Sequence, residues 1–286
     1  MCERARLRAL FGMWETILGG EQVKFIDLFA GIGGFRLGME MAGHECVGHC
    51  EIDKFAQRSY KAMHEPKEGE WFADDIRRVS PEELPEADCY CAGFPCQSFS
   101  IAGKRGGFED TRGTLFFEIM RLARLRKPKY LFLENVRGLL SHDGGRTFGT
   151  ILSVMGECGY DAQWQVLNSA YYTGQDRERV FVVANIREEP MPKVFPIIKK
   201  EKFYPTSPTI TTRYPFSWRE GLYIVEARKQ EGETWRDLTP RECFRLQGFP
   251  DEYFERAMRI NSDNQLYKQA GNRVTVNVVY EIAKRL

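Results

Sequence analysis

The sequence predicts an α/β fold: a doubly wound, parallel sheet joined to a small, mostly irregular or β second domain. Three observations predict it. Short apolar runs alternate with amphipathic runs of helical period as far as Asn185. Distinctive residues recur at the ends of the apolar runs, at Asp27, Glu51, Cys96 and Glu134, where open α/β sheets place their ligands. Beyond Arg187 the pattern lapses: Glu188 to Pro215 holds six prolines and little helical periodicity.

Taken in order, Lys24 to Phe29 reads as a strand, followed by a glycine turn and an amphipathic segment from Phe35 to Ala42. Cys46 to Cys50 is a second strand, Lys54 to His64 a helix, and Asp88 to Ala92 a third strand. Thr114 to Lys127 is a helix stopped by Pro128, and Tyr130 to Leu133 is a strand ending at Glu134. Arg146 to Cys158 is a helix with Gly159 near its end, and strands follow at Gln163 to Asn168 and Val180 to Asn185. Helical pattern returns at Thr239-Pro240, a cap followed by a first-turn proline, and a last helix runs from about Val274 to Leu286. The expected organisation is an N-terminal extension (1–22), a catalytic and cofactor-binding domain (23–187), a short recognition region (188–237) and C-terminal helices (238–286).

The chain has 286 residues, 43% hydrophobic and 28% charged, which suits a globular protein and argues against disorder. No run approaches 18 apolar residues, so no membrane helix is expected. The formal charge of +1 leaves nucleic-acid binding to local basic patches. Eight cysteines include no C-x-x-C pair, and the first residues lack a secretory pattern. A reduced, cytoplasmic compartment is therefore expected. His44, Cys46, His49 and Cys50 cluster in sequence, but a strand there turns alternate side chains to opposite faces, so no metal site is expected.

Three runs carry chemistry. In the first, Gly31, Gly33 and Gly34 let backbone approach a ligand after a strand, and Glu51, 20 positions on, suits a ribose. The G-x-G-G spacing and the aromatic Phe29 favour S-adenosylmethionine over a pyrophosphate-bearing cofactor. In the second, Cys96 follows a strand and enters a loop rich in glycine, with Lys104, Arg105 and Arg112. Cationic neighbours lower a thiol pKa and make it a nucleophile. Cys89 and Cys91, inside the strand, read as core. In the third, Glu134 ends an apolar strand, where burial raises a carboxyl pKa and suits it to act as an acid.

These runs together resemble the DNA (cytosine-5) methyltransferase family, of bacterial or phage type. The motifs stand in the family's order: F-I-D-L-F-A-G-I-G-G-F, G-F-P-C-Q-S-F-S, G-F-E-D-T-R-G-T-L-F-F, E-N-V, Q-D-R-E-R-V-F, L-T-P-R-E-C-F-R-L-Q-G-F-P and Y-K-Q-A-G-N-R-V. They cover about Val23 to Leu286. The resemblance implies a Rossmann-like S-adenosylmethionine-dependent sheet that methylates carbon 5 of a flipped-out cytosine in duplex DNA. It implies Cys96 as nucleophile, Glu134 as its partner, and Arg177 and Arg179 as the pair that steadies the flipped nucleotide and the loop. For S-adenosylmethionine it implies Phe29, Gly31, Gly33, Glu51, Asp75, Ile76, Leu115 and Asn272. Gln97, Ser100, Lys104, Arg105, Arg112, Thr209 and Arg213 are its DNA candidates.

Three positions depart from the family. The recognition region is short, about 50 residues, so specificity is expected to rest on few contacts, to be relaxed, or to need a partner. Ala102 stands where some relatives have a serine that fills the gap left by the flipped base. Arg273 follows Asn272, where a small residue is common. Arg121, Arg124, Arg126, Lys127 and Lys129 read as a solvated helix end, and Trp71, Trp164, Trp218 and Trp235 as packing residues. The expected partners are double-stranded DNA and a functionally paired restriction endonuclease, with the chain acting as a monomer. The rivals are a transfer-RNA cytosine-5 methyltransferase on the same scaffold and an inactive DNA-binding homologue.

Overall fold

Seven strands form one sheet: Lys24–Leu28 (β1), Glu45–Cys50 (β2), Trp71–Ala73 (β3), Cys89–Gly93 (β4), Tyr130–Val136 (β5), Tyr160–Asn168 (β6) and Glu178–Ile186 (β7). Their order is β3-β2-β1-β4-β5-β7-β6. The computed structural model describes residues 21–95, 115–198, 201, 207, 209–211, 223–227 and 233–286. The inner strands β1, β4 and β5 are buried at nearly every position, as strands covered on both faces are.

The sheet is mixed, which corrects the expectation of a parallel one. The strands β3, β2, β1, β4 and β5 are parallel, but β7 runs antiparallel to both β5 and β6. The reason lies in the connection. Ser169 to Arg177 is shorter than the crossover of about a dozen residues that a parallel return requires, so β7 must turn back. The three-residue strand β3 escaped the sequence reading, being too short to show a period. At Val47 a bulge shifts the register of β2 against β1. As a result Cys46 and Cys50 pack into cores on opposite faces.

Helices cover both faces. Leu115–Arg126 (α3) and Arg146–Glu157 (α4) bury Ile119, Leu122, Ile151 and Met155 on one. Gly34–Met41 (α1) and Val276–Ala283 (α8) bury Phe35, Met39, Val279 and Ile282 on the other. A third core lies beyond the sheet. There Ala56 and Met63 of Lys54–His64 (α2) meet Phe244 of Pro240–Leu246 (α5), Phe254 of Asp251–Met258 (α6) and Leu266 of Asp263–Gly271 (α7). Helix α5 starts as its sequence suggests, with Thr239 capping and Glu242 reaching back to complete a capping box. Between the sheet and α5, Tyr223–Ala227 (β8) and Glu233–Asp237 (β9) pair as antiparallel strands.

A buried ion pair fastens α1 to the sheet margin. Arg36 donates from Nη1 and Nη2 to the Glu70 carboxylate at 2.7 and 3.1 Å, and both side chains are at most 5% exposed. His49 Nδ1 shares the same carboxylate at 3.3 Å. Removing one partner strands a buried charge. Glu70→Ala is therefore expected to lower the unfolding free energy by about 3–5 kcal/mol in urea titration. A loss below about 1 kcal/mol would mean that the guanidinium finds other partners.

Candidate active site

The first half of the site is the turn after β1. Phe29 adopts a positive φ of 57°, rare for a bulky residue and a sign of stored strain. Gly31 and Gly33 follow at φ 56° and 81°. Gly31 N–H donates to Glu51 Oε2 at 2.7 Å, and Asp53 N–H donates to Glu51 Oε1 at the same distance. The carboxylate at the end of β2 is thus aimed by two backbone donors. Burial nevertheless raises its pKa, because these hydrogen bonds offset desolvation only in part. Asp53 caps α2 through Phe55 N–H and Ala56 N–H, and Lys268 of α7 reaches its other oxygen at 2.7 Å.

Asp75 and Ile76 follow β3. The Asp75 carboxylate is forked by Arg77, with Nε to Oδ1 at 2.9 Å and Nη2 to Oδ2 at 2.7 Å. That pairing holds its pKa below the ordinary range. Behind Ile76, Arg121 Nη2 donates to the Ile76 and Val79 carbonyls, and Arg126 donates to Leu84 O. Two arginines read as a solvated helix end are therefore ties between α3 and the loop that carries Asp75.

The second half lies at the end of β5. Glu134 sits between Gly93 of β4 and Phe181 of β7 in the register of the sheet. It is nearly buried, and Arg179 Nε stands 3.1 Å from its Oε1. Burial raises the Glu134 pKa, with Arg179 and then Arg177 opposing. Next to it, Asn135 Nδ2 donates to Phe94 O at 2.9 Å, which pins the chain just before Pro95 and Cys96.

The two arginines have different jobs. Arg179 faces the carboxyl. Arg177 spends its guanidinium on backbone carbonyls: Nη1 on Ile210, and Nη2 on Gly271 and Arg273, at 3.1, 3.2 and 2.7 Å. Burial, aided by Arg179, pushes its pKa down to about 9, so it stays charged at neutral pH. It ties the segment before α5 and the turn after α7 to β7.

Both halves line one cavity of about 770 Å³. Phe29, Gly31, Glu51, Asp75, Ile76, Leu115 and Asn272 line one part, and Pro95, Glu134, Arg177 and Arg179 the other. Gly33 does not line it; it sits behind the turn. Cys96, Gln97, Ser100, Lys104, Arg105, Arg112, Arg213, Ala102 and Trp218 lie outside the described residues. Thr209 stands beside the cavity rather than on its wall: its hydroxyl donates to Asp176 O at 2.7 Å, and Ile210 and Thr211 line the cavity. The signal for Thr211 was present in the Ser207 to Arg213 run, but the choice between alternate residues needed the pairing of Ser207 with Gln175. Arg273 lines the cavity too, but its guanidinium is buried. Its guanidinium lies between Phe244 and Phe249 at 4.3 and 4.4 Å, while Asn272 keeps its place on the cavity wall. Trp71 packs against the core, whereas Trp164 is half exposed, edge-on to Phe148 at 5.1 Å. Among the described residues no helix is long and apolar enough to cross a membrane.

Comparison with known proteins agrees with this geometry. The sequence model of C-5 cytosine-specific DNA methylases matches residues 23–216 and 198–286. The chain is 37% identical to Type II methyltransferase M.HhaI of Haemophilus parahaemolyticus, over 91% of this chain and 93% of that protein. It is also 37% identical to Type II methyltransferase M.HpaII of Haemophilus parainfluenzae, over 93% and 89%. Its fold is similar to that of the Schizosaccharomyces pombe Dnmt2 methyltransferase, with a TM-score of 0.72 at 18% identity, covering 92% of this chain and 98% of that one. A putative DNA modification methyltransferase from an Escherichia coli prophage gives 0.65 at 17%, with coverage of 92% and 98%. The sheet, the cavity at its strand ends and the match along nearly the whole chain lead to one conclusion: the chain belongs to the C-5 cytosine-specific DNA methylase family.

Proposed function

We propose that this DNA cytosine-5 methyltransferase takes its methyl group from S-adenosylmethionine and acts on a cytosine flipped out of duplex DNA, with Cys96 as nucleophile and Glu134 as acid. The observation that carries the reading is the single cavity holding both the glycine turn and the Glu134–Arg179 pair. The residues fit the cofactor. Glu51 is oriented by two backbone donors and faces the cavity, able to accept from ribose hydroxyls. Gly31 has open space where a side chain would stand. Phe29, Ile76 and Leu115 give apolar walls suited to an adenine, and Asn272 closes the far side.

When bound, S-adenosylmethionine supplies an electrophilic methyl group. The remaining work belongs to the chain. The Cys96 thiolate adds to carbon 6 of the cytosine, which breaks the ring's conjugation and makes carbon 5 nucleophilic. In its acid form, which burial favours by raising its pKa against the pull of Arg179 and Arg177, Glu134 hydrogen-bonds ring nitrogen 3 and delivers its proton there as the thiolate adds. Arg179 holds the carboxyl in place. Once carbon 5 carries the methyl group, its proton leaves to solvent, the carbon 6–sulfur bond breaks to return the Cys96 thiolate, and the proton on nitrogen 3 goes back to Glu134, which restores the ring and both groups. Extracting the base from the stack costs a few kcal/mol, which loop contacts from Gln97, Ser100, Lys104, Arg105 and Arg112 are expected to offset. The Type II names of the relatives support pairing with a cognate restriction endonuclease; in this reading the chain acts as a monomer.

The test uses the purified protein, labelled S-adenosylmethionine, mixed-sequence duplex DNA and bulk transfer RNA. Bisulfite sequencing then locates the product. Methylated DNA cytosines in a fixed context are expected; label in transfer RNA alone would overturn the substrate. Glu51→Ala is expected to weaken S-adenosylmethionine binding about 10- to 100-fold in calorimetry, the value of one or two hydrogen bonds to a charged acceptor. DNA affinity should stay unchanged, and equal losses for both ligands would assign Glu51 to the fold instead.

A further inference from the structure

We propose that His64 is a positioning residue of the cofactor turn: its ring, wedged behind Gly33, holds the Ile32 carbonyl and so fixes the backbone that approaches S-adenosylmethionine. The inference rests on the functional reading above, and it concerns a residue that touches neither cofactor nor substrate.

His64 is the last residue of α2, yet it points back to the turn that follows β1. Its Nε2 lies 2.9 Å from Ile32 O. A carbonyl only accepts, so Nε2 carries the proton and Nδ1 does not. Nδ1 is buried and has no hydrogen-bond partner, so no second bond competes to turn the ring. The wedge is tight. A Cβ on Gly33 would stand 2.1 Å from His64 Nε2, and Gly33 already holds a φ of 81°. Glycine is therefore required there twice over, by backbone conformation and by the imidazole behind it.

The ring is itself held. It tilts against Tyr60 at 4.8 Å and against Tyr253 of α6 at 5.3 Å between centroids. Arg256 of α6 donates to Met63 O at 2.9 Å, closing the contact between α2 and α6. Burial first, then Arg36, pushes the His64 pKa down to about 3, so the ring is neutral under working conditions. The titratable and charged groups facing it are Arg36, His49, Glu70, Tyr60 and Tyr253. A neutral imidazole in one tautomer is a fixed donor. Without it the Ile32 carbonyl would be left unpaired against the third core, and the turn would be free to rearrange.

The experiment compares wild type, His64→Leu and His64→Gln, the last placing an amide N–H near the position of Nε2. Calorimetry gives S-adenosylmethionine binding, and steady-state kinetics give kcat and the KM for DNA. His64→Leu is expected to weaken cofactor binding about tenfold, while kcat at saturating cofactor and the KM for DNA hold. His64→Gln should restore binding to within about threefold of wild type. Unchanged binding in His64→Leu, or an equal loss for DNA and cofactor, would overturn the proposal. Failure of the wild type to bind S-adenosylmethionine would instead remove the functional reading beneath it. A second measurement needs no variant. With ¹⁵N-labelled histidine, of which the chain has four, His64 should show a neutral Nε2–H ring whose resonances move when S-adenosylmethionine is added. A protonated ring, the other tautomer, or resonances indifferent to the cofactor would refute the assignment.

Discussion

Cys96→Ser protein is expected to bind S-adenosylmethionine and DNA as the wild type does, and to transfer methyl groups at least about 10,000-fold more slowly. The reason is the nucleophile. A free thiol has a pKa of about 8.5, and cationic neighbours lower it further, so a reactive thiolate is available near neutral pH. A serine hydroxyl has no comparable anion near neutral pH. The other thiols are poor substitutes. Burial pushes Cys46, Cys50 and Cys243 up to about 12, and Cys91 is raised well above its usual value. Cys96 also follows Pro95, which lines the cavity, directly in the sequence. Trapping the covalent complex with a duplex carrying a 5-fluorocytosine would show the same difference on a gel. Transfer by Cys96→Ser at about a tenth of the wild-type rate or more would end the covalent reading.

Much of this was legible before the fold was known, and the legible part has a common cause. Glu51 follows β2 directly and Glu134 stands near the end of β5, so an apolar run closed by an acid marks both an element and a site. Asp27, one residue inside the end of β1, is instead buried in the core, accepts from Arg36 N–H and does not line the cavity. Local signals worked where local forces decide. Thr239-Pro240 begins a helix, and Lys54 to His64 has the limits that its pattern suggests. What failed depended on distant partners. The antiparallel course of β7 follows from the short link after β6, not from the residues of β7. The three residues of β3 become a strand only because β2 offers an edge. Arg177 and Arg179 share one motif and one face, yet one meets a carboxyl and the other three carbonyls supplied from residues 210, 271 and 273. His64 reads as an ordinary last-turn histidine until the glycine turn is folded over it.

Glu134→Gln is expected to lower kcat by about 100- to 10,000-fold and to remove the alkaline limb of the pH profile. Burial lifts the Glu134 carboxyl above its ordinary range, and Arg179 and Arg177 pull it back only in part. The acid form therefore survives to higher pH than in an exposed glutamate and is lost as pH rises through the shifted value. The Cys96 thiolate behaves in the opposite sense, growing as pH rises. A wild-type profile of kcat/KM should then be bell-shaped, the acid limb set by the thiol and the alkaline limb by Glu134, provided the thiol titrates below the carboxyl. If their order is reversed, the bell persists but its maximum is reduced, because only the minor population holds thiolate and acid together. Glutamine keeps the shape and can still donate a hydrogen bond to ring nitrogen 3, but it has no proton to transfer. The variant should therefore retain DNA and cofactor affinity, show a low kcat, and follow the thiol alone across pH. A variant that keeps the bell, or that loses less than about tenfold in kcat, would show that the proton at nitrogen 3 comes from elsewhere and that Glu134 serves only to hold Arg179.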